Sequence, residues 1–352
     1  MLSADTTTPG PASNLDIRIA NIYIYPIKSC DGIPLSSAPI PHTQKHKRSY
    51  GDAFDLENPC LEGLRFDRQW MVIDHNNKPV SQRTTPKLVL AKPQLALNDP
   101  NDPRSDGHLL VTAPGMSTTL RLPLCPVVPP GTDPVSVSVW GSSGQGFDCG
   151  DEAARWISEF LGKPCRIIFK DPNCARAVVH YLPPPGTCSF QLTTGFAEAY
   201  PITFFNQPSI DETNRCLAEH GAKVEHLTFR HSLVFDLAPP GASAGDAKLP
   251  PYDEESWRNF ELATSSGESI EFYVTARLDR CPMPNVNRET GTMSKDYQPL
   301  KAMRTFRTPD PGKPTKVCFG MLAAPIHPPD TVVSVGDRIK VLGRCVHSSV
   351  EE

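Results

Sequence analysis

The sequence has no long apolar run, no Cys-x-x-Cys pair and no surplus of basic charge over its 352 residues. No stretch approaches the ~20 apolar residues that a membrane-crossing helix requires. A formal net charge of −4 gives no overall attraction for nucleic acid or an anionic membrane, so an anionic ligand has to be held by a local cluster of cations. The 11 cysteines, scattered from Cys30 to Cys345, lack the spacing of a zinc or iron–sulfur cluster. They also make a poor disulfide framework, being odd in number in a long chain without a secretory leader. The opening MLSADTTTPGPASN carries an acid, no arginine and no useful apolar stretch, unlike a secretory signal or mitochondrial presequence. A disordered tail over 1–14 and a cytoplasmic location are therefore expected, with a mitochondrial one disfavoured.

Proline is plentiful, with 38 residues. Proline fixes φ and removes a ladder donor, which argues for short strands, turns and extended loops over long helices. Order is expected from Leu15. In LDIRIANIYIYPIKSC, Leu15, Ile17 and Ile19 share one strand face, while Ile22 and Ile24 alternate in a shifted phase, as a bulge produces. Pro26 ends that strand and leaves Lys28 and Ser29 in the loop beyond it. Residues 42–63 read as an irregular excursion. FDRQWMVID-HNNK-PVSQR reads as a hairpin, with Arg68 at the start of its first strand, and a further strand is expected over 87–97.

In DEAARWISEFLGKPC the period changes: Ala153, Trp156, Ile157, Phe160 and Leu161 form a helical stripe, stopped by Gly162 and Pro164. Ser209 and Glu212 have capping-box spacing, predicting a second helix that closes near Gly221. HLTFRHSLVFDL alternates and predicts a strand. SIEFYVTARLDRC predicts another, burying Ile270, Phe272, Val274, Ala276 and Leu278 and delivering Arg280 and Cys281 to its end. Two β-rich stretches, KVCFGMLAAPI and VVSVGDRIKVL, close the chain. The fold class expected is mixed α+β, mainly β: two β-barrel-like units with a few flanking helices, meeting near residue 130. The divisions are 1–14 (tail), 15–130, 131–347 and 348–352 (tail).

Reactive or anion-binding residues recur where strands run out: Lys28-Ser29, Arg68, Asn206-Gln207 with Arg230, and Arg280-Cys281. A single strand-end cation is ordinary solvated surface. In order, however, these stretches resemble a known family. IYIYPIKSCDGIPL, GLRFDRQWMVID and SQRTTPKLVLAKPQL are similar to the N-terminal MOSC β-barrel domain. DCGDEAARWISEFLGKPCRII, FFNQPSIDETNRCL, LTFRHSLVF and ARLDRCPMPNVNRETG are similar to the MOSC domain that holds molybdenum cofactor, as in amidoxime-reducing components and their bacterial and fungal homologues.

The resemblance implies a molybdenum–molybdopterin cofactor whose metal is held by Cys281, the catalytic residue, beside Arg280. Thiolate is a soft ligand suited to such a metal, and neighbouring cations favour its deprotonated form. It implies cofactor contacts at Lys28, Ser29, Arg68, Arg230, Ser232 and Arg280, with Asn206 and Gln207 offering amides. After Arg230 the family usually carries one residue and then asparagine; here His231 is followed by Ser232, a hydroxyl of shorter reach. An internal ion pair, with Asp67 for Arg68 or Asp236 for Arg230, is the structural alternative for the two arginines.

The implied activity is reduction of N-hydroxylated small molecules such as amidoximes and hydroxylamines. Electrons are expected from a separate donor, such as cytochrome b5 and its reductase, since no ferredoxin-like domain follows before Glu352. The alternatives are a cofactor carrier or sulfur-transfer accessory, because MOSC domains also end molybdenum-cofactor sulfurases, and a scaffold without cofactor. Pyridoxal phosphate binding is an attribute of the wider family, although no domain for it is legible. No nucleic-acid partner and no membrane span are expected.

Overall fold

The computed structural model describes residues 15–41, 60–61, 63–174, 176–198, 200–239, 248–327 and 329–349. The tail expected over 1–14 and nearly all of the 42–63 excursion lie outside these. So do the last three residues, but Ser349 is packed: its amide and hydroxyl both bond Asp310, at 2.9 and 2.6 Å.

The fold is mixed α+β, mainly β, around a closed barrel. Ile17–Ile24 pairs with Leu233–Leu237, which pairs in turn with Ile202–Asn206, Cys318–Pro325, Ser269–Asp279, Trp257–Ala263 and Arg338–Arg344. Arg338–Arg344 returns to Ile17–Ile24 and closes the ring, and Ile33–Leu35 extends the sheet beside the first strand. The one parallel contact in the ring joins Ile202–Asn206 to Leu233–Leu237. Parallel neighbours need a crossover, and helix α1 (Asp151–Leu161) is not it: the crossover carries α2 (Gln207–Ala218) and the single turn α3 (His226–Phe229).

The first strand behaves as its pattern predicts, shifting register between Ile19 and Asn21 while keeping Ile17, Ile19, Ile22 and Ile24 buried. Aromatic rings fill the barrel. Phe235 stacks on Trp257 with centroids 6.1 Å apart, and Phe260 on Phe272 at 5.0 Å. Each such ring, fully buried, contributes about 2–3 kcal/mol.

Beside the barrel, Trp70–Ile73, Arg166–Lys170, Ser142–Asp148 and Val135–Val139 form a four-stranded sheet, and Lys92–Leu97, Gly107–Thr112 and Leu120–Pro123 a three-stranded one. Helix α1 buries the stripe Ala153, Trp156, Ile157 and Phe160, and the Trp156 indole donates to the Thr118 carbonyl at 2.8 Å. Gly162 caps it in the left-handed conformation (φ 69°), as its sequence signals.

Four local expectations need correcting. The second arm of the hairpin is reduced to a bridge between Ile73 and Pro79, because proline offers no ladder donor. The hairpin's first arm, Trp70–Ile73, is buried on both faces, Trp70 and Val72 in the main core and Met71 and Ile73 against Val137, Val139, Ile168 and Phe196. Pro86–Leu90 is a 3-10 turn opened by Pro86, so the strand begins only at Lys92. Helix α2 starts at Gln207, and Ser209 bonds Glu254 at 2.8 Å instead of capping. In HLTFRHSLVFDL the alternation misleads: a capping box between Glu225 and Thr228 winds His226–Phe229 into a turn, and the strand begins at Leu233.

Candidate functional site

Lys28, Ser29, Arg68, Arg230, Arg280 and Cys281, distant in sequence, line a single cleft of about 1490 Å³. Lys28 and Ser29 follow the first barrel strand, Arg230 precedes Leu233–Leu237, and Arg280 and Cys281 follow Ser269–Asp279. Ser29, Arg68 and Arg230 all have left-handed backbones, with φ of 70°, 49° and 61°. Such conformations cost about 1 kcal/mol or more and persist where surroundings over-determine them. Here the Lys28 amide donates to the Trp70 carbonyl at 2.7 Å, the Gln82 amide to the Ser29 carbonyl at 2.8 Å, and the Phe196 amide to the Arg68 carbonyl at 2.7 Å.

The two arginines converge on Tyr25. Each guanidinium lies 4.3 Å from the centroid of its ring, a cation–π geometry. Arg68 also pairs with buried Asp67 and donates to the Arg230 carbonyl at 2.8 Å. Arg230 donates to the Cys30 carbonyl at 2.5 Å. The Asp67 pair foreseen for Arg68 thus coexists with a place in the cleft, whereas Arg230 forms no pair with Asp236 among the described residues.

Burial, and then repulsion from Arg68, pushes Arg230 down to about 10. Burial likewise drops Lys28 to about 8, against the pull of Glu198, whose carboxylate sits 3.5 Å from its ammonium. Burial by itself would raise Glu198, but Lys28 and Arg83 hold it below the usual carboxylate range. Burial also lowers Arg280, opposed by Cys281 and Glu198, and its guanidinium donates to the Phe229 carbonyl at 2.7 Å. The cleft therefore holds compressed positive charge, which a bound anion would relieve.

The donor set fits a phosphate-bearing, metal-binding cofactor. The Ser29 hydroxyl and the Arg280 Nε are buried without a hydrogen-bond partner, a costly state that a polar ligand in the cleft removes. Cys281 is half-buried, a free thiol facing the same space. Among the described residues no group of three or more His, Cys, Asp or Glu could hold a metal, so a metal bound here takes further ligands from elsewhere.

Asn206, Gln207 and Ser232 do not line the cleft, which corrects the contacts expected of them. Asn206 is wholly buried at the start of α2, its amide nitrogen directed to Glu254 and its side chain without a partner. Gln207 is occupied between His226 at 2.8 Å and Asp211 at 2.9 Å. Ser232 is held in the barrel wall by Thr203 and Tyr23, with its side chain buried. Conversely, Tyr25, Arg83 and Glu198 escape a sequence reading. Glu198 in GFAEAY carries no motif, and Tyr25 reads as one more buried aromatic.

Several known proteins resemble this chain over most of its length. Residues 53–164 match the MOSC N-terminal beta barrel domain. The chain is 26% identical to a molybdenum cofactor sulfurase of Danio rerio over 343 residues, covering 94% of this chain and 35% of that protein. It thus spans well under half of the sulfurase. It is also 26% identical to mitochondrial amidoxime-reducing component 1 of Mus musculus over 337 residues, covering 93% and 82%, and to that of Homo sapiens over 332 residues, covering 93% and 83%. The latter relatives, matched over most of their length, are mitochondrial by name, which overturns the cytoplasmic location expected from the N-terminal composition. No helix among the described residues is long and apolar enough to cross a membrane.

Proposed function

We propose that this chain, a MOSC-domain homologue of amidoxime-reducing components and molybdenum cofactor sulfurases, is a molybdenum-dependent oxidoreductase that reduces N-hydroxylated compounds such as amidoximes and hydroxylamines. One observation carries the reading: a half-exposed thiol, Cys281, shares a cleft with Lys28, Arg68, Arg230 and Arg280 and with the orphaned Ser29 hydroxyl. Cys281 would be the metal's protein ligand, its sulfur a soft donor suited to such a metal, with the Arg280 guanidinium lining the cleft beside it. Lys28, Ser29, Arg68 and Arg230 hold the phosphate-bearing end, with guanidinium forks matching its oxygens and Lys28 adding a point charge. Glu198 keeps Lys28 in place until an anion takes over that role.

The molybdenum cofactor supplies the two-electron, oxygen-accepting chemistry that no side chain here offers. Each turnover takes up two electrons and two protons and releases amine or amidine with water. The electrons come from a separate protein, cytochrome b5 with its reductase being the donor by resemblance. Pyridoxal phosphate has no part in this reading. The division near residue 130 is part of the proposal too, as an organisational boundary only, because strand pairing between Trp70–Ile73 and Arg166–Lys170 crosses it.

A second reading, a cofactor carrier or sulfur-transfer accessory, draws on the likeness to the sulfurase. One experiment separates the two. Protein from a host that makes molybdenum cofactor is assayed for metal and for reduction of benzamidoxime by reduced methyl viologen. The proposal expects near-stoichiometric molybdenum, turnover, and loss of both in Cys281→Ala with the fold retained. Molybdenum without turnover favours the carrier, and no molybdenum in the wild-type chain overturns both.

A further inference from the structure

The proposed reduction consumes electrons at the bottom of the cleft, so the place where a donor protein sits is a question about its mouth. Between residues 295 and 316 the chain carries six basic residues and two acidic ones, although its total charge is −4. Arg307 is spent inside, paired with Glu255, and Lys313 donates to Tyr181 at 2.6 Å. Lys301, Arg304 and Lys316 are different: all three are exposed, all three line the cleft, and none has a side-chain hydrogen bond or ion pair among the described residues. They are set by α4 (Leu300–Met303) and by the turn in which the Lys316 amide bonds the Lys313 carbonyl at 3.0 Å. Of the two acids, Asp310 is buried against Ser349 and only Asp296 is exposed. Tyr297, 67% exposed, lies among these cations at the same mouth.

Exposed, unpaired cations along one cleft present a positive surface that a carboxylate-bearing one complements, and basic rims that include an aromatic residue suit transient protein interfaces. We propose that Lys301, Arg304 and Lys316, with Tyr297, form the docking surface for an electron-donor protein that presents a cluster of carboxylates. This rests on the reading of the cleft as a redox site that receives its electrons from another protein. Docking at the mouth brings the donor's redox group as near to Cys281 as the surface allows, and the unpaired cations steer it there across a molecule whose overall charge does not.

The test uses the full chain loaded with cofactor, and cytochrome b5 as the acidic probe. Binding is measured by calorimetry at low and high salt for the wild type, for Lys301→Glu/Arg304→Glu/Lys316→Glu, and for a control of equal charge change, Arg121→Glu/Arg155→Glu/Lys340→Glu, at exposed sites outside the cleft lining. Affinity is expected to fall on the order of tenfold or more in the first variant and to lose its salt dependence, with far less change in the control. Unchanged affinity, an equal loss in the control, or loss of binding only to phosphatidylserine vesicles overturns the proposal. Benzamidoxime reduction driven by reduced methyl viologen, which needs no docked protein, is expected to persist in the variant. If the wild type shows none, the redox reading fails on that measurement, while the calorimetry still decides whether this surface binds an acidic redox protein.

Discussion

Arg68 donates through Nη2 to the main-chain carbonyl of Arg230 at 2.8 Å, and both guanidinium groups lie 4.3 Å from the centroid of one tyrosine ring. Two like charges are thereby fixed side by side before any ligand arrives. The ring's π-face and the Asp67 carboxylate stand against that repulsion, while burial first, and then Arg68, holds Arg230 below its ordinary value. An anion entering between them finds its donors already ordered, which removes the side-chain ordering part of the cost of binding in advance.

The ring and the hydroxyl of Tyr25 should therefore separate. Tyr25→Phe loses only the hydroxyl's bond to the His231 carbonyl at 3.2 Å, costing about 1 kcal/mol of stability while leaving molybdenum content unchanged. Tyr25→Leu removes the platform, and molybdenum per chain, measured by mass spectrometry, is expected to fall severalfold. Equal content in both variants would remove the platform from the account.

Lys28 gives a pH signature. Its folded pKa, about 8, lies below the usual lysine value, so the ligand-free folded state sheds this proton first. Between that pH and the unfolded value the unfolded chain binds more protons, so the contribution of Lys28 to stability rises with pH there. Ligand binding runs the opposite way. An anion needs the ammonium, so affinity for inorganic phosphate should decline above about pH 8 with uptake of one proton. Lys28→Arg should move that decline to higher pH, as titration at several pH values will register.

Glu198 competes with the ligand for Lys28 and Arg83, lying 3.5 and 3.1 Å from them. Glu198→Gln keeps the shape and deletes the charge. Phosphate affinity is expected to rise several-fold in calorimetry, with the Lys28 pKa falling further for want of its counter-ion. Weaker phosphate binding in Glu198→Gln would mean the carboxylate positions the site instead of occupying it.

Gly320 (φ 78°) is a close approach that no other residue can make. A Cβ there would stand 2.2 Å from Cε1 of buried His231 and 2.9 Å from the Phe204 carbonyl oxygen. Gly320→Ala combines backbone strain with overpacking and should cost about 2–4 kcal/mol, read as a lowered denaturation midpoint. A change below 0.5 kcal/mol (roughly the scatter of surface substitutions) would show that the wall gives way.

Much of this architecture was legible where one period dominates. The bulged first strand, the helix stopped by Gly162 and the long strand ending before Arg280 each satisfy propensity and burial together. Legibility failed where two patterns overlap. His226–Phe229 alternates like a strand, yet Glu225 and Thr228 close a capping box around it, and the local bonds win. Of the site, the six residues at strand ends converge, because strand termini are where a barrel can bring distant segments together. Asn206, Gln207 and Ser232 do not: Glu254 takes the Asn206 backbone amide, His226 the Gln207 side chain, and Thr203 and Tyr23 the Ser232 backbone, partners that linear spacing does not reveal. Tyr25 and Glu198 act through neighbours far along the chain, and no local pattern marks them.

The closing seam of the barrel has a consequence for synthesis. Ile17–Ile24 leaves the ribosome long before one of its partners, Arg338–Arg344. Until that partner has emerged, one edge of the nascent sheet stays open, exposed to the mispairing that unfinished β edges invite. Loss of Arg338–Arg344 alone would leave that edge without its neighbour and expose the aromatic interior to chaperones and proteases.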